Sequence, residues 1–137
     1  MPATGLSRGL PSATGDPRLA FEAVQSALDR LGATRARSVL LFLTGHFARN
    51  PGPAIHAAAR AAQTTQISGC TAVGVYTEKN WVIDAPAAAA MVFGESADER
   101  DPAPALHAQP DDWLLSFAAP NSVNGDWLSM PGRRIGA

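Results

Sequence analysis

A single cysteine, three histidines and a run of glycines are the residues of this chain whose types and spacing could do chemistry. Cys70 lies in Gly69-Cys70-Thr71-Ala72-Val73-Gly74, and His46 follows Thr44-Gly45. A thiol with an imidazole beside it is the pairing that nucleophilic catalysis uses, with Cys70 attacking and His46 as its base. No acid stands at a spacing that would orient the imidazole, and a buried, inert cysteine is the competing reading. His46, His56 and His107 are ten and then fifty-one positions apart, which is no ligand pairing for a structural zinc. Gly69 and Gly74 have the first spacing of a phosphate loop. Val75 and Tyr76 stand where that loop needs Lys and Ser or Thr, so the phosphate reading fails. The glycines then serve tight turns or close backbone packing. Trp81, Trp113 and Trp127 read as core or rim residues, any of which could wall a pocket.

The background for this chemistry is a chain of 137 residues, enough for one domain with a real core. Apolar residues make up 46% and charged residues 17%, richer in core formers than a disordered segment. The net charge of −1 gives no electrostatic footprint for nucleic acid, and the arginine pairs Arg35/Arg37 and Arg133/Arg134 read as solvated surface. The longest apolar stretch, 85–94, is bracketed by Asp84 and Glu95 and is about half a membrane span, so no membrane is expected. One cysteine cannot form an internal disulfide, and residues 1–10 contain no hydrophobic signal core, so a reducing cytoplasm fits best.

Asp16-Pro17 carries a capping carboxylate and a proline at the first helical position. Leu19, Phe21, Val24, Leu28 and Leu31 then recur at helical spacing opposite Arg18, Glu22, Gln25, Asp29 and Arg30, and Gly32 closes an amphipathic helix. The run 38–44, SVLLFLT, fits a strand covered on both faces. Asn50-Pro51-Gly52-Pro53 turns the chain into a second helix over 53–63, with Ile55, Ala58, Ala59 and Ala62 on one side. A short strand over 66–71 completes a strand, helix, strand crossover, whose two strands should run parallel. Residues 76–84 carry turn formers at their centre. The segment 87–93, AAAAMVF, is helix by alanine propensity or strand by its apolar run, and the sequence leaves both open. Residues 94–112, with three prolines and seven charges, six of them acidic, read as an exposed loop. Residues 113–118 read as a further strand, 121–130 as a turn with a short helix, and 133–137 as the start of an element cut short.

The expected fold class is α/β, with a mixed, partly parallel sheet flanked by helices. In such sheets ligands bind beyond the carboxyl ends of parallel strands, where loops converge and backbone amides are free. The two ends here would gather Thr44, Gly45, His46, Gly69, Cys70, Thr71 and Gly74 on one rim, a setting for a small polar ligand.

The order of these pieces resembles the FIST domain, a sensory module of signalling proteins. The matching pieces are Gly5-Leu6-Ser7, the Asp16-Pro17 helix with Ala20, Ala27 and Leu28, the apolar strand 39–42, and above all Ile67-Ser68-Gly69-Cys70-Thr71-Ala72-Val73-Gly74, which is similar to the family's Gly-Cys-Ser/Thr-x-x-Gly segment. The strand at Trp113 and the terminal Ile135-Gly136-Ala137 would match a later strand and the start of a glycine-rich one. The resemblance implies one ligand-sensing domain over 1–137, incomplete relative to the longer family members. It implies a non-catalytic cytoplasmic module that binds a small molecule such as an amino acid, with no cofactor. Its partners would be a signalling output protein, a companion C-terminal FIST domain or a second copy. Some members bind haem and respond to nitric oxide, which would make His46 the axial ligand here. A cysteine-dependent enzyme and a protein-interaction module are the readings from other classes.

Overall fold

The computed structural model describes residues 2–11, 14–94, 113–116 and 133–136, the last two segments as backbone only. The chain divides into two compact units, Met1–Ser96 and Ala97–Ala137. The first runs β1 (Ala3–Arg8), α1 (Pro17–Leu31), β2 (Ser38–Thr44), a 3-10 turn (Gly45–Phe47), α2 (Gly52–Ala62), β3 (Ile67–Ala72), β4 (Val75–Tyr76), β5 (Trp81–Val82) and β6 (Ala87–Phe93). In the second, β7 (Trp113–Ser116) and β8 (Arg133–Gly136) pair in parallel, Trp113 opposite Arg133. The expectations for 95–112 and 121–130, with His107 and Trp127, fall outside the described residues.

The main sheet has the order β1-β6-β2-β3, with β2 and β3 parallel and β6 antiparallel to both β1 and β2. The α/β class with a mixed, partly parallel sheet is thus observed, and the strand, helix, strand unit is parallel as its spacing predicts. The open segment 87–93 is a central strand: Ala87 to Ala90 and Val92 are all buried. Alanine's helix propensity is overridden because small side chains let layers approach this strand from both sides. The amino-terminal strand β1 was not expected. It is a short edge strand with an alternation too brief to stand out beside turn residues.

Strand alternation divides the core. One face of the sheet, through Val39, Leu41, Leu43, Ala88, Ala90 and Val92, packs under α1 and α2. The other, through Ala87 and Ala89 with Leu6 and Phe42, is covered by Val75, Val82 and Ala85 of the β4–β5 hairpin segment.

Helix α1 begins as its sequence dictates: the Asp16 side chain accepts the Arg18 backbone N–H at 2.9 Å, and Gly32 ends the helix at φ 70°. Its buried face differs from the expected one. Ala20, Ala23 and Ala27 join Leu19, Val24 and Leu28 in the core, while Phe21 is 39% exposed. The cause is Gly5. A Cβ there would collide with the Ala23 carbonyl oxygen and come within 2.8 Å of the Ala27 nitrogen, so helix and strand touch backbone to backbone where bulky residues have no room. Helix α2 repeats the substitution: Ala54, Ala57, Ala58, Ala61 and Ala62 are buried and Ile55 is exposed.

The hairpin is closed by the Thr77 N–H donating to the Asn80 carbonyl at 2.8 Å. Its tip is fastened by Glu78, which accepts from the Thr4 hydroxyl and lies 3.4 Å from Arg30 Nη1. The same Arg30 nitrogen donates to the Thr4 carbonyl at 2.8 Å, so one guanidinium joins α1, β1 and the hairpin tip.

Candidate functional site

The carboxyl ends of β2 and β3 fall side by side. Pairing runs from Val39 opposite Ile67 to Thr44 opposite Ala72, and the chain then leaves through Gly45–Phe47 and through Val73-Gly74. Antiparallel β6 starts at this rim. β1, which runs parallel to β2, ends there too, with Arg8 opposite Ala87.

Thr44 organises the rim. Its side chain is buried, yet its hydroxyl accepts the Ala87 N–H at 3.0 Å and stands 3.2 Å from His46 Nδ1. One hydroxyl therefore ties the end of β2 to the start of β6 and holds the imidazole by one nitrogen. This leaves the other ring nitrogen as the natural contact for a ligand. His46 and Gly45 are exposed, while the next residue, Phe47, is buried and anchors the turn against the core. A Cβ at Gly45 would meet nothing within 4 Å, so the backbone there is open to solvent.

The glycine–cysteine segment lies in the strand expected over 66–71, short of the rim on which Gly69 and Cys70 were expected. Gly69, Cys70 and Thr71 are inside β3 and not beyond it, with Gly69 opposite Leu41 and Cys70 opposite Phe42. Gly69 has φ 156°, and a Cβ there would collide with the Leu41 carbonyl oxygen; one at Gly74 would come within 3.0 Å of the Val82 carbonyl oxygen. Both glycines allow close backbone packing, and the rim's open amides belong to the turn after β2. Cys70 is half-buried in the row of Phe42. Among the described residues no hydrogen bond joins it to His46, whose partner is Thr44. Thr71, exposed near the end of β3, keeps its hydroxyl at the rim.

Arg8 is the rim residue that sequence reasoning missed. It brings an exposed residue to the same end of the sheet as His46, two strand spacings or roughly 10 Å from β2. The signal was the Gly5-Leu6-Ser7 segment, whose continuation Arg8 is legible as a rim residue only once β1 is recognised as a strand parallel to β2. His56 is exposed on α2, as its helical position predicts.

Among the described residues no three His, Cys, Asp or Glu side chains gather as a metal site, and no helix is long and apolar enough to cross a membrane. The chain matches no protein-family model and no curated protein.

Proposed function

We propose that the first unit is a cytoplasmic small-ligand sensory domain of FIST type, non-catalytic, acting for a signalling partner or companion domain. The observation that carries this reading is the shared rim of β2 and β3, where Gly45, His46 and Thr71 are exposed around the buried Thr44 hydroxyl. Carboxyl ends of parallel strands are the usual ligand position of α/β sheets. An imidazole, a hydroxyl, open backbone amides and, farther along, the Arg8 guanidinium suit a small molecule carrying a carboxylate. The acid group would take Arg8, and its polar substituent His46.

The test is thermal stabilisation by amino acids and related small carboxylic acids. A ligand at a hundred times its dissociation constant adds about 2.7 kcal/mol to stability, a clear rise in melting temperature. The expected pattern is stabilisation by at least one such acid, diminished in His46→Ala and Arg8→Ala. Stabilisation by none of them, or a rise that both variants keep in full, overturns the reading.

Haem is the second reading, and the Thr44 contact favours it. Holding Nδ1 fixes the imidazole so that Nε2 is the nitrogen available to iron, the usual support of a metal-bound histidine. Haem would supply a gas-binding iron. A Soret band on reconstitution that shifts or disappears in His46→Ala supports it, and a protein that gives no such band removes it.

A further inference from the structure

We propose that the outward face of the β4–β5 hairpin is the surface through which two copies of this chain associate. The hairpin turns Val75 and Val82 onto the sheet and the residues between them in register outward. Tyr76 and Trp81 are direct cross-strand partners, 81% and 72% exposed, so two aromatic rings stand side by side in solvent. Val73 at 84% and Ile83 at 48% exposure extend the patch on both sides. A contiguous apolar surface of this kind marks an interaction site, and Tyr and Trp are the side chains that most often carry binding energy. The platform is also held in place, because the two valines pin it to the sheet and Glu78 fastens its tip to Thr4 and Arg30.

The charges around the patch select the partner. Lys79, the only lysine of the chain, stands at the hairpin tip, two residues before Trp81; Asp84 stands three residues after it. Both are exposed, and they lie at opposite ends of the aromatic pair. A surface with a cation at one end and an anion at the other is complementary to itself when turned through a half rotation. A two-fold axis through the Tyr76–Trp81 pair sets Lys79 against the partner's Asp84 and Asp84 against the partner's Lys79, while the rings stack at the centre. Single-stranded nucleic acid, the other common guest of paired aromatics, needs a basic groove, for which a chain of net charge −1, with eleven Lys and Arg against twelve Asp and Glu, gives no sign.

Sedimentation of the full chain across a wide concentration range tests this. The wild type should show a monomer–dimer equilibrium, and Tyr76→Ser with Trp81→Ser should be monomeric throughout. Lys79→Asp and Asp84→Lys should each weaken the dimer roughly tenfold, because the axis counts every like-charge encounter twice, and the two combined should restore it. These two positions are exposed, so the charge series stands even where the aromatic variant folds poorly. A wild type that stays monomeric overturns the proposal. So does a dimer indifferent to the aromatic substitutions, or a combined charge reversal that fails to recover association.

Discussion

The backbone N–H of Ala87 donates to Thr44 Oγ1 at 3.0 Å, so a side-chain hydroxyl closes the hydrogen-bond ladder where β6 begins. Thr44 is also the one polar residue among the described residues that is fully buried, which makes this a bond in low dielectric with no water to replace it.

Thr44→Val keeps the shape of the side chain and strands the Ala87 N–H. The expected loss is about 1–3 kcal/mol in denaturant unfolding, the cost of an unsatisfied buried donor. Thr44→Ser retains the acceptor and should lose less than half as much. The same valine variant frees the His46 ring, so ligand stabilisation should fall further than stability alone explains.

Two glycines give opposite results on gaining a methyl group. Gly5→Ala forces β1 away from the Ala23 carbonyl and should cost about 1–3 kcal/mol, the usual penalty of overpacking. Gly45→Ala meets nothing within 4 Å and should leave the melting temperature nearly unchanged. Equal effects at both positions contradict the backbone contact between α1 and β1.

Asp16 makes the stability of α1 depend on pH. The Arg18 backbone N–H, and then its side chain, hold the Asp16 carboxyl below the usual aspartate value. A folded-state value below the unfolded one means that this contribution is complete above the unfolded pKa and disappears as pH falls through the folded one. Urea unfolding of the wild type should therefore weaken as the pH drops below 4, a dependence that Asp16→Asn reduces while keeping a capping side chain. Asp16→Ala should cost about 1 kcal/mol at neutral pH. An unchanged acid profile in the asparagine variant would sink the assignment.

Phe21 and Leu28 look alike in the sequence, two large apolar residues at helical spacing, and separate in the structure. Leu28 is 1% exposed, and Leu28→Ala should cost about 2–5 kcal/mol. Phe21 is 39% exposed, and Phe21→Ser should cost less than about 1 kcal/mol in the same unfolding experiment.

That pair shows what could be read in advance. Helix periodicity located α1 and α2 because spacing and caps are local. It chose the wrong residues for their contact faces at Phe21 and Ile55, because Gly5 and the alanines of β6 draw the helices too close for large side chains. The parallel pairing of β2 and β3 was legible from the short helical crossover. The strand that holds Gly69 and Cys70 was legible too, but their place short of the rim was not, since a glycine that lies against the Leu41 carbonyl and a glycine in a turn look the same in a sequence. β1 and Arg8 escaped because an edge strand of six residues carries little pattern of its own. The position of Thr44, Gly45 and His46 at the carboxyl end of β2 was legible from the parallel-strand rule, whereas the hydroxyl's double use depends on where β6 returns.

Glu78 gives the hairpin a latch that is separate from its buried valines. The Thr4 hydroxyl first, then the Glu78 backbone N–H, and more weakly the Arg30 and Lys79 charges, hold the Glu78 carboxyl below the usual glutamate value. Once that latch lets go, what still holds the hairpin is Val75, Val82 and the packing around Ala85, a small satellite of the main core. The consequence is a hierarchy of opening. The hairpin can lift as a unit while the sheet and helices stay closed, so its amides should exchange with solvent through sub-global fluctuations and those of β2 and β6 only through global unfolding. Substitutions at Glu78 should thus change how often the hairpin opens far more than they change global stability.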